Sequence, residues 1–161
     1  MNASAFVAEY PAISNRLGSD VTLQYGGSDV SVNALWDTGA TSTCISKDVV
    51  AALNLIPLGR RDILTPSGLS VVNTYLVDIL LPNHLTVGNV VVCDSEIGSQ
   101  GLGVLIGMDI INLGDFAVSN YNGKTVFTFR TPSQEKTDYV AKLKIKQKLG
   151  PKHGKGKRKK R

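Results

Sequence analysis

Short apolar runs punctuated by Gly, Pro, Asn and Ser recur from Val21 to Arg130, and each reads as a strand closed by a turn. Val21 to Tyr25 and Val30 to Trp36 flank Gly26-Gly27-Ser28-Asp29, which predicts two strands joined by a glycine-supplied turn. Ser46 is placed to cap a short helix running to Asn54, with Val49, Val50 and Leu53 on one face and Asp48 in its first turn. Pro57 and Gly59 end it. Ile63 to Leu64 and Leu69 to Leu81 predict a hairpin with Thr65-Pro66-Ser67-Gly68 at its tip. A further strand, Val87 to Cys93, precedes a Gly-rich stretch from Gly98 to Gly103 and an apolar run, Val104 to Ile111, that stops at Asn112 and Gly114. Phe116 to Asn120 and Lys124 to Arg130 bracket Tyr121-Asn122-Gly123, whose Asn-Gly pair is the strongest hairpin signal in the chain. The predicted class is all-β.

The pattern changes past Thr131-Pro132-Ser133. Only Val140, Leu143, Ile145 and Leu149 remain to support a short helix, and residues 150–161 are one His, three Gly, one Pro and otherwise Lys or Arg. Such a segment cannot bury enough to offset its ordering entropy, so disorder is expected there. Three parts follow: an arm over residues 1–15, one domain over 16–131 and a basic tail over 132–161. At 161 residues and 17.2 kDa the chain is long enough to build a core without disulfide or metal staples.

Charge sharpens that division. The formal net charge of +5 hides a segment, Lys136 to Arg161, with 12 of the 18 Lys and Arg residues and a single acid, Asp138, against a remainder, Met1 to Glu135, of net −6. The run Lys152 to Arg161 can neutralise phosphates, and without aromatic residues for base stacking any nucleic-acid contact would be non-specific. A nucleic-acid-associated scaffold working through this tail is therefore one alternative reading. Cys44 and Cys93 lack metal-site spacing and read as buried or ordinary reduced thiols. No metal or other cofactor is expected. The start of the chain lacks a signal-peptide pattern, and no run approaches the roughly 20 apolar residues of a membrane span; a cytoplasmic protein without membrane contact is expected.

The chemistry concentrates at Asp37-Thr38-Gly39-Ala40, where the apolar strand ending at Trp36 breaks into a turn. A carboxylate presented this way can activate water, provided a second carboxyl polarises the scissile carbonyl and protonates the leaving nitrogen. Two carboxyls sharing one proton divide those roles because both cannot ionise side by side. The chain is too short for a second copy of the motif, so on this reading each half of the pair would be Asp37, brought together from two protomers across a two-fold axis. Gly39 leaves its N–H free to approach the carboxylate, Thr38 offers a hydroxyl that can cross the axis, and Ala40 is small enough for close packing below. Asp109 sits within an apolar run and reads as a cap or brace for a short helix after Gly107. Trp36 reads as packing and His84 as an exposed loop residue. Leu35, Val104, Met108 and Ile110 fit either a cleft wall or the core.

The run Ala34 to Ser46 around Asp37, together with Val104 to Ile111, resembles the retropepsin-like aspartic proteases, the retroviral and retroelement protease family. The resemblance spans about Val21 to Arg130. It implies a closed β-barrel-like fold with one or two short helices, assembled as a homodimer, with Asp37 as catalytic residue and a peptide or protein as substrate. It also implies that the hairpin Ile63 to Leu76, tipped by Thr65, Pro66, Ser67 and Gly68, is a flap over bound peptide. Leu105, Ile106 and Gly107 would support the site from the second motif. The chain departs from the family pattern in two places. Thr41-Ser42-Thr43-Cys44 stands where a Ser or Asp is common, which leaves the bonding partner beneath the turn open, and the hairpin tip lacks the run of glycines seen in the viral enzymes. A dimerisation module that kept the fold without catalysis is the other alternative.

Overall fold

The computed structural model describes residues 3–65 and 68–149. Strand β1 (Ser4–Glu9) is followed by a hairpin of β2 (Gly18–Tyr25) and β3 (Ser28–Trp36). Then come β4 (Cys44–Ser46), helix α1 (Lys47–Ala52) and a long hairpin of β5 (Gly59–Thr65) and β6 (Gly68–Leu80). The rest is β7 (Thr86–Ser95), β8 (Val104–Ile106), helix α2 (Met108–Ile111), β9 (Asp115–Ser119), β10 (Val126–Thr131) and helix α3 (Tyr139–Leu149). The class is all-β with a few short helices, as the pattern of apolar runs predicts.

The larger sheet runs β2-β3-β8-β4-β7-β6-β5, and a further pairing of β2 with β6 closes it into a barrel. Closure is possible because β6 is long. Its first half pairs with β5 from Gly59↔Thr74 to Thr65↔Gly68, while its second half pairs with β7 on one edge and with β2 on the other. Inside lie Val21, Leu23, Ala34, Ile45, Tyr75, Val77, Ile79, Val92, Val104 and Ile106, all buried, in the alternate-residue pattern that a pleated strand imposes.

Local signals explain several element ends. Gly26 and Gly27 both adopt positive φ, +57° and +84°, and connect Tyr25 to Ser28 in a two-residue turn that glycine adopts without steric cost. Ser46 caps α1 by accepting the Val49 N–H at 3.3 Å, and the helix ends at Leu53, before Asn54 turns to φ +48°.

The smaller sheet, β1-β10-β9, lies against the barrel through aromatic packing. Trp36 is only 4 % exposed and is ringed by Phe6, Phe116, Phe127 and Phe129 at centroid distances of 5.5, 6.0, 5.8 and 5.0 Å. Its indole N–H donates to Ser19 Oγ at 2.9 Å. Trp36 is therefore a core residue at the seam between the sheets.

Three elements differ from the sequence reading. Ser4–Glu9, inside the segment expected as an arm, forms a strand paired with β10 along its whole length. Strand β5 begins at Gly59, so that Arg60, Arg61 and Asp62 belong to it although they carry no apolar pattern. Tyr121-Asn122-Gly123 forms a single 3-10 turn in a loop between Ser119 and Val126, wider than a tight Asn-Gly hairpin. The loop is held open by Thr125, which bonds Ala12 O, Asn120 Oδ1 and the N–H groups of Ser14 and Tyr10. Residues 150–161, expected to be disordered, and Pro66 and Ser67 lie outside the described residues. Among the described residues no helix is long and apolar enough to cross a membrane.

Candidate active site

Strand β8 threads between β3 and β4. It runs parallel to β3, with Trp36 opposite Ile106, and antiparallel to β4, with Cys44 opposite Leu105. The chain that leaves β3 must therefore cross the end of β8 before returning as β4, and the crossing segment is Asp37 to Thr43. Asp37 N–H closes the crossing by donating to Ile106 O at 2.9 Å. The sequence places the carboxylate at this point because the apolar strand that buries Ala34 and Trp36 ends there.

Within the turn, Gly39 N–H donates to Asp37 Oδ1 at 2.8 Å and Ala40 N–H to Asp37 O at 3.2 Å. The first bond fixes the carboxylate while leaving its second oxygen for chemistry. A Cβ on residue 39 would lie 3.1 Å from Asp37 Oδ1, closer than most side chains are tolerated, so glycine keeps the approach open. Thr38 and Gly39 are exposed at the crest of the turn.

The second apolar motif sits directly beneath. Ala40 O accepts the Met108 N–H at 2.8 Å. Gly107 is buried so tightly that a Cβ would come within 2.6 Å of the Ser42 carbonyl carbon. Leu105 and Ile106 supply the β8 pairings to both arms of the crossing, and Ile106 is fully buried. Asp37, Thr38, Gly39, Ala40, Leu105, Ile106 and Gly107 are thus brought together in one place.

The partner beneath the turn, left open by the sequence, is Thr43. This fully buried residue donates its N–H to Asp109 Oδ2 at 2.9 Å and its hydroxyl to Asp109 Oδ1 at 2.8 Å. Its hydroxyl oxygen also accepts the Gly107 N–H at 3.1 Å. Asp109 accepts the Ile110 N–H as well, at 3.0 Å, so it braces the start of α2 and the active-site segment together, while Gly107 stands at the N-cap position. Thr43 carries no sequence signal of its own; its importance comes from a partner 66 positions away.

The β5–β6 hairpin bounds the space in front of the turn. A cleft of about 490 Å³ is lined by Gly39 to Ser42 on one side, Arg61 to Leu64 of β5 on another, and Cys44, Cys93 and Ser95 on its floor. Leu64 and Leu69 near the hairpin end are 85 % and 72 % exposed, which leaves apolar surface there without cover from this protomer. Thr65 pairs with Gly68 across the tip, and Gly68 adopts φ +115°. His84 is exposed with φ +60°, and nothing in its surroundings makes it a catalyst. Among the described residues, no three His, Cys, Asp or Glu side chains converge as a metal-ligand group.

Comparison with known proteins agrees with this geometry. The sequence pattern of a family described as aspartyl protease matches residues 21–110, more than half of the chain. Among solved structures, a retropepsin-like aspartic protease from Rickettsia conorii superposes with a TM-score of 0.53 at 11 % identity, covering 81 % of this chain and 97 % of its own. EIAV protease, solved with the inhibitor HBY-793, superposes with a TM-score of 0.50 at 18 % identity, covering 62 % of this chain and 88 % of its own. At these identities the likeness shows a shared fold. No curated protein sequence matches the chain.

Proposed function

The chain belongs to the retropepsin-like aspartic protease family, and on that premise we propose that it is an endopeptidase acting as a homodimer through an intersubunit pair of Asp37 carboxyls. The observation that carries the reading is the Asp37 carboxylate, held by the Gly39 N–H on an exposed turn at the mouth of a cleft. One acid alone cannot serve as both base and acid, and the motif occurs once in the sequence. A second protomer placed across a two-fold axis at Thr38 and Gly39 would bring an identical carboxyl opposite the first.

In that arrangement one Asp37 takes a proton from a water as its oxygen attacks the scissile carbonyl carbon. The partner subunit's Asp37, protonated, donates a hydrogen bond to the carbonyl oxygen and carries charge away from the tetrahedral centre. Collapse of that centre transfers a proton to the leaving nitrogen, and the pair returns to its singly protonated state. Substrate would lie extended between the turn and the β5–β6 hairpin acting as a flap, adding a strand and placing apolar side chains in alternate pockets. The exposed leucines of that hairpin would then gain cover from peptide and partner.

Because the pair works with one shared proton, cleavage is greatest at mildly acidic pH and falls as both carboxylates ionise. The test is a diverse peptide library incubated with the full chain and with Asp37→Asn at several pH values. Cleavage by the first and none by the second, with folding and dimerisation retained, is the expected result. Equal cleavage by both would remove Asp37 from the chemistry.

A further inference from the structure

The cleft floor holds two thiols that the hydrolytic mechanism does not use. Cys44 of β4 and Cys93 of β7 stand directly opposite each other on neighbouring parallel strands, so their side chains leave the sheet on the same face. Both are free, and both line the cleft beside the active-site turn. We propose that Cys44 and Cys93 form an oxidisable dithiol in the wall of the peptide cleft, closed to a disulfide by low-molecular-weight disulfides of the glutathione type. Its functional consequence rests on the protease reading given above; its chemistry does not.

The positions suit the bond. Disulfides span Cα atoms about 4.4–6.8 Å apart, and paired strands lie about 4.7–4.9 Å apart, so no change of register is needed. Cys93 is the attacking group: the Cys44 thiol beside it, helped by the nearby Arg61 charge, lowers its thiol to about 7. Cys44, half-buried beside the Cys93 thiol, is held as the protonated partner, its own thiol pushed well above the usual range by that neighbour and by partial burial. The Cys93 thiolate attacks one sulfur of the oxidised reagent, forming a mixed disulfide and releasing one glutathione thiolate, which takes up a proton. Cys44 then loses its proton, and its sulfur attacks the Cys93 sulfur and expels the second glutathione. Two protein thiols are oxidised and one external disulfide is reduced to two thiols.

Thr43 links that bond to the active site. It precedes Cys44 directly, its carbonyl accepts the Cys93 N–H at 3.4 Å, and its side chain joins Asp109 and Gly107 beneath the turn. A disulfide draws the two Cβ atoms to about 3.8 Å, which pulls β4 toward β7 at the residue anchoring the Asp37 loop. The oxidised cleft also loses two small thiol groups from its floor. Peptide cleavage therefore falls on oxidation.

The test uses the full chain with Cys44→Ser and Cys93→Ser, each checked for folding by circular dichroism and thermal melting, with Cys44→Ala as a second choice. Each is equilibrated across a series of glutathione redox ratios. Alkylation, intact mass and peptide mapping are read beside peptide cleavage. We expect the wild-type protein to lose two hydrogens without added mass, to map a Cys44–Cys93 disulfide, and to lose cleavage severalfold until dithiothreitol restores it. In each variant the ratio of oxidised to reduced cleavage stays near one, whatever its absolute level. Thiols that remain alkylatable throughout, glutathione adducts alone, or an interchain disulfide would overturn the dithiol. An intrachain disulfide that leaves cleavage unchanged would overturn its control of the cleft. The disulfide in a protein that cuts no peptide even when reduced would sink the protease reading and the control of cleavage with it, while sustaining the dithiol.

Discussion

Thr43 presents both its backbone N–H and its hydroxyl to the carboxylate of Asp109, at 2.9 and 2.8 Å, and so joins the segment after Asp37 to the helix that follows the second apolar motif. These are hydrogen bonds to a charged acceptor, made by a residue with no exposed surface. They convert two separate stretches of sequence into one rigid platform for the turn that carries Asp37.

Removing the hydroxyl alone measures that platform. Thr43→Val keeps the shape but leaves the Gly107 N–H without its partner and Asp109 Oδ1 with the Ile110 N–H alone. A loss of about 2 kcal/mol in urea unfolding is expected, in the range for buried hydrogen bonds to charged groups. Peptide cleavage should fall about tenfold or more through kcat, because small misplacements of the acid are costly. Thr43→Ser should keep most of both. A Thr43→Val protein of wild-type stability would show that the bonds contribute nothing net.

Gly107→Ala tests close packing rather than backbone freedom, since its φ of −94° is open to any residue. The added methyl would meet the Ser42 backbone at 2.6 Å, and neither side is a flexible chain end that can move away. We expect a cost of about 1–3 kcal/mol, as for overpacking in a tight core, together with reduced cleavage. Unchanged thermal melting would mean that the loop over residue 107 shifts freely.

Asp115 governs an acid-dependent contribution to stability. Ser133 Oγ, the Gln134 N–H and the Arg130 guanidinium all donate to its carboxylate, and together they hold its pKa well below the usual carboxylate range. A carboxyl whose folded pKa is depressed stabilises the fold above its unfolded value, about pH 4, and that stabilisation is lost as pH falls toward the folded value. Asp115→Asn should therefore melt at lower temperature than wild type at pH 7, with the gap closing progressively below about pH 4. A gap independent of pH would assign the effect to shape alone.

Much of this architecture is legible in the residues. The Gly26-Gly27 turn, the Ser46 cap and the strand leading to Asp37 each carry a local signal, because turn geometry, capping and alternation act over a few positions. What the sequence hides depends on distant partners. Ser4–Glu9 becomes a strand by pairing with β10, and the Asn122-Gly123 turn widens because Thr125 is tied to Ala12 and Ser14. Arg60, Arg61 and Asp62 form a strand while exposed, so no apolar pattern marks them. Thr43 is invisible for the same reason: its meaning lies in Asp109. The readings of Trp36 as packing and of Asp109 as a brace follow from apolar context, which the barrel supplies in full.

The pairing of two Asp37 carboxyls is tested most directly by subunit mixing. Wild-type protein at fixed concentration is titrated with inactive Asp37→Asn under conditions where subunits exchange, and the rate of peptide cleavage is followed. If each site needs one acid from each protomer, mixed dimers are inactive and the rate falls steadily as the variant is added in excess. A rate that stays constant while mixed dimers demonstrably form would mean that one Asp37 suffices, and the intersubunit dyad would be contradicted.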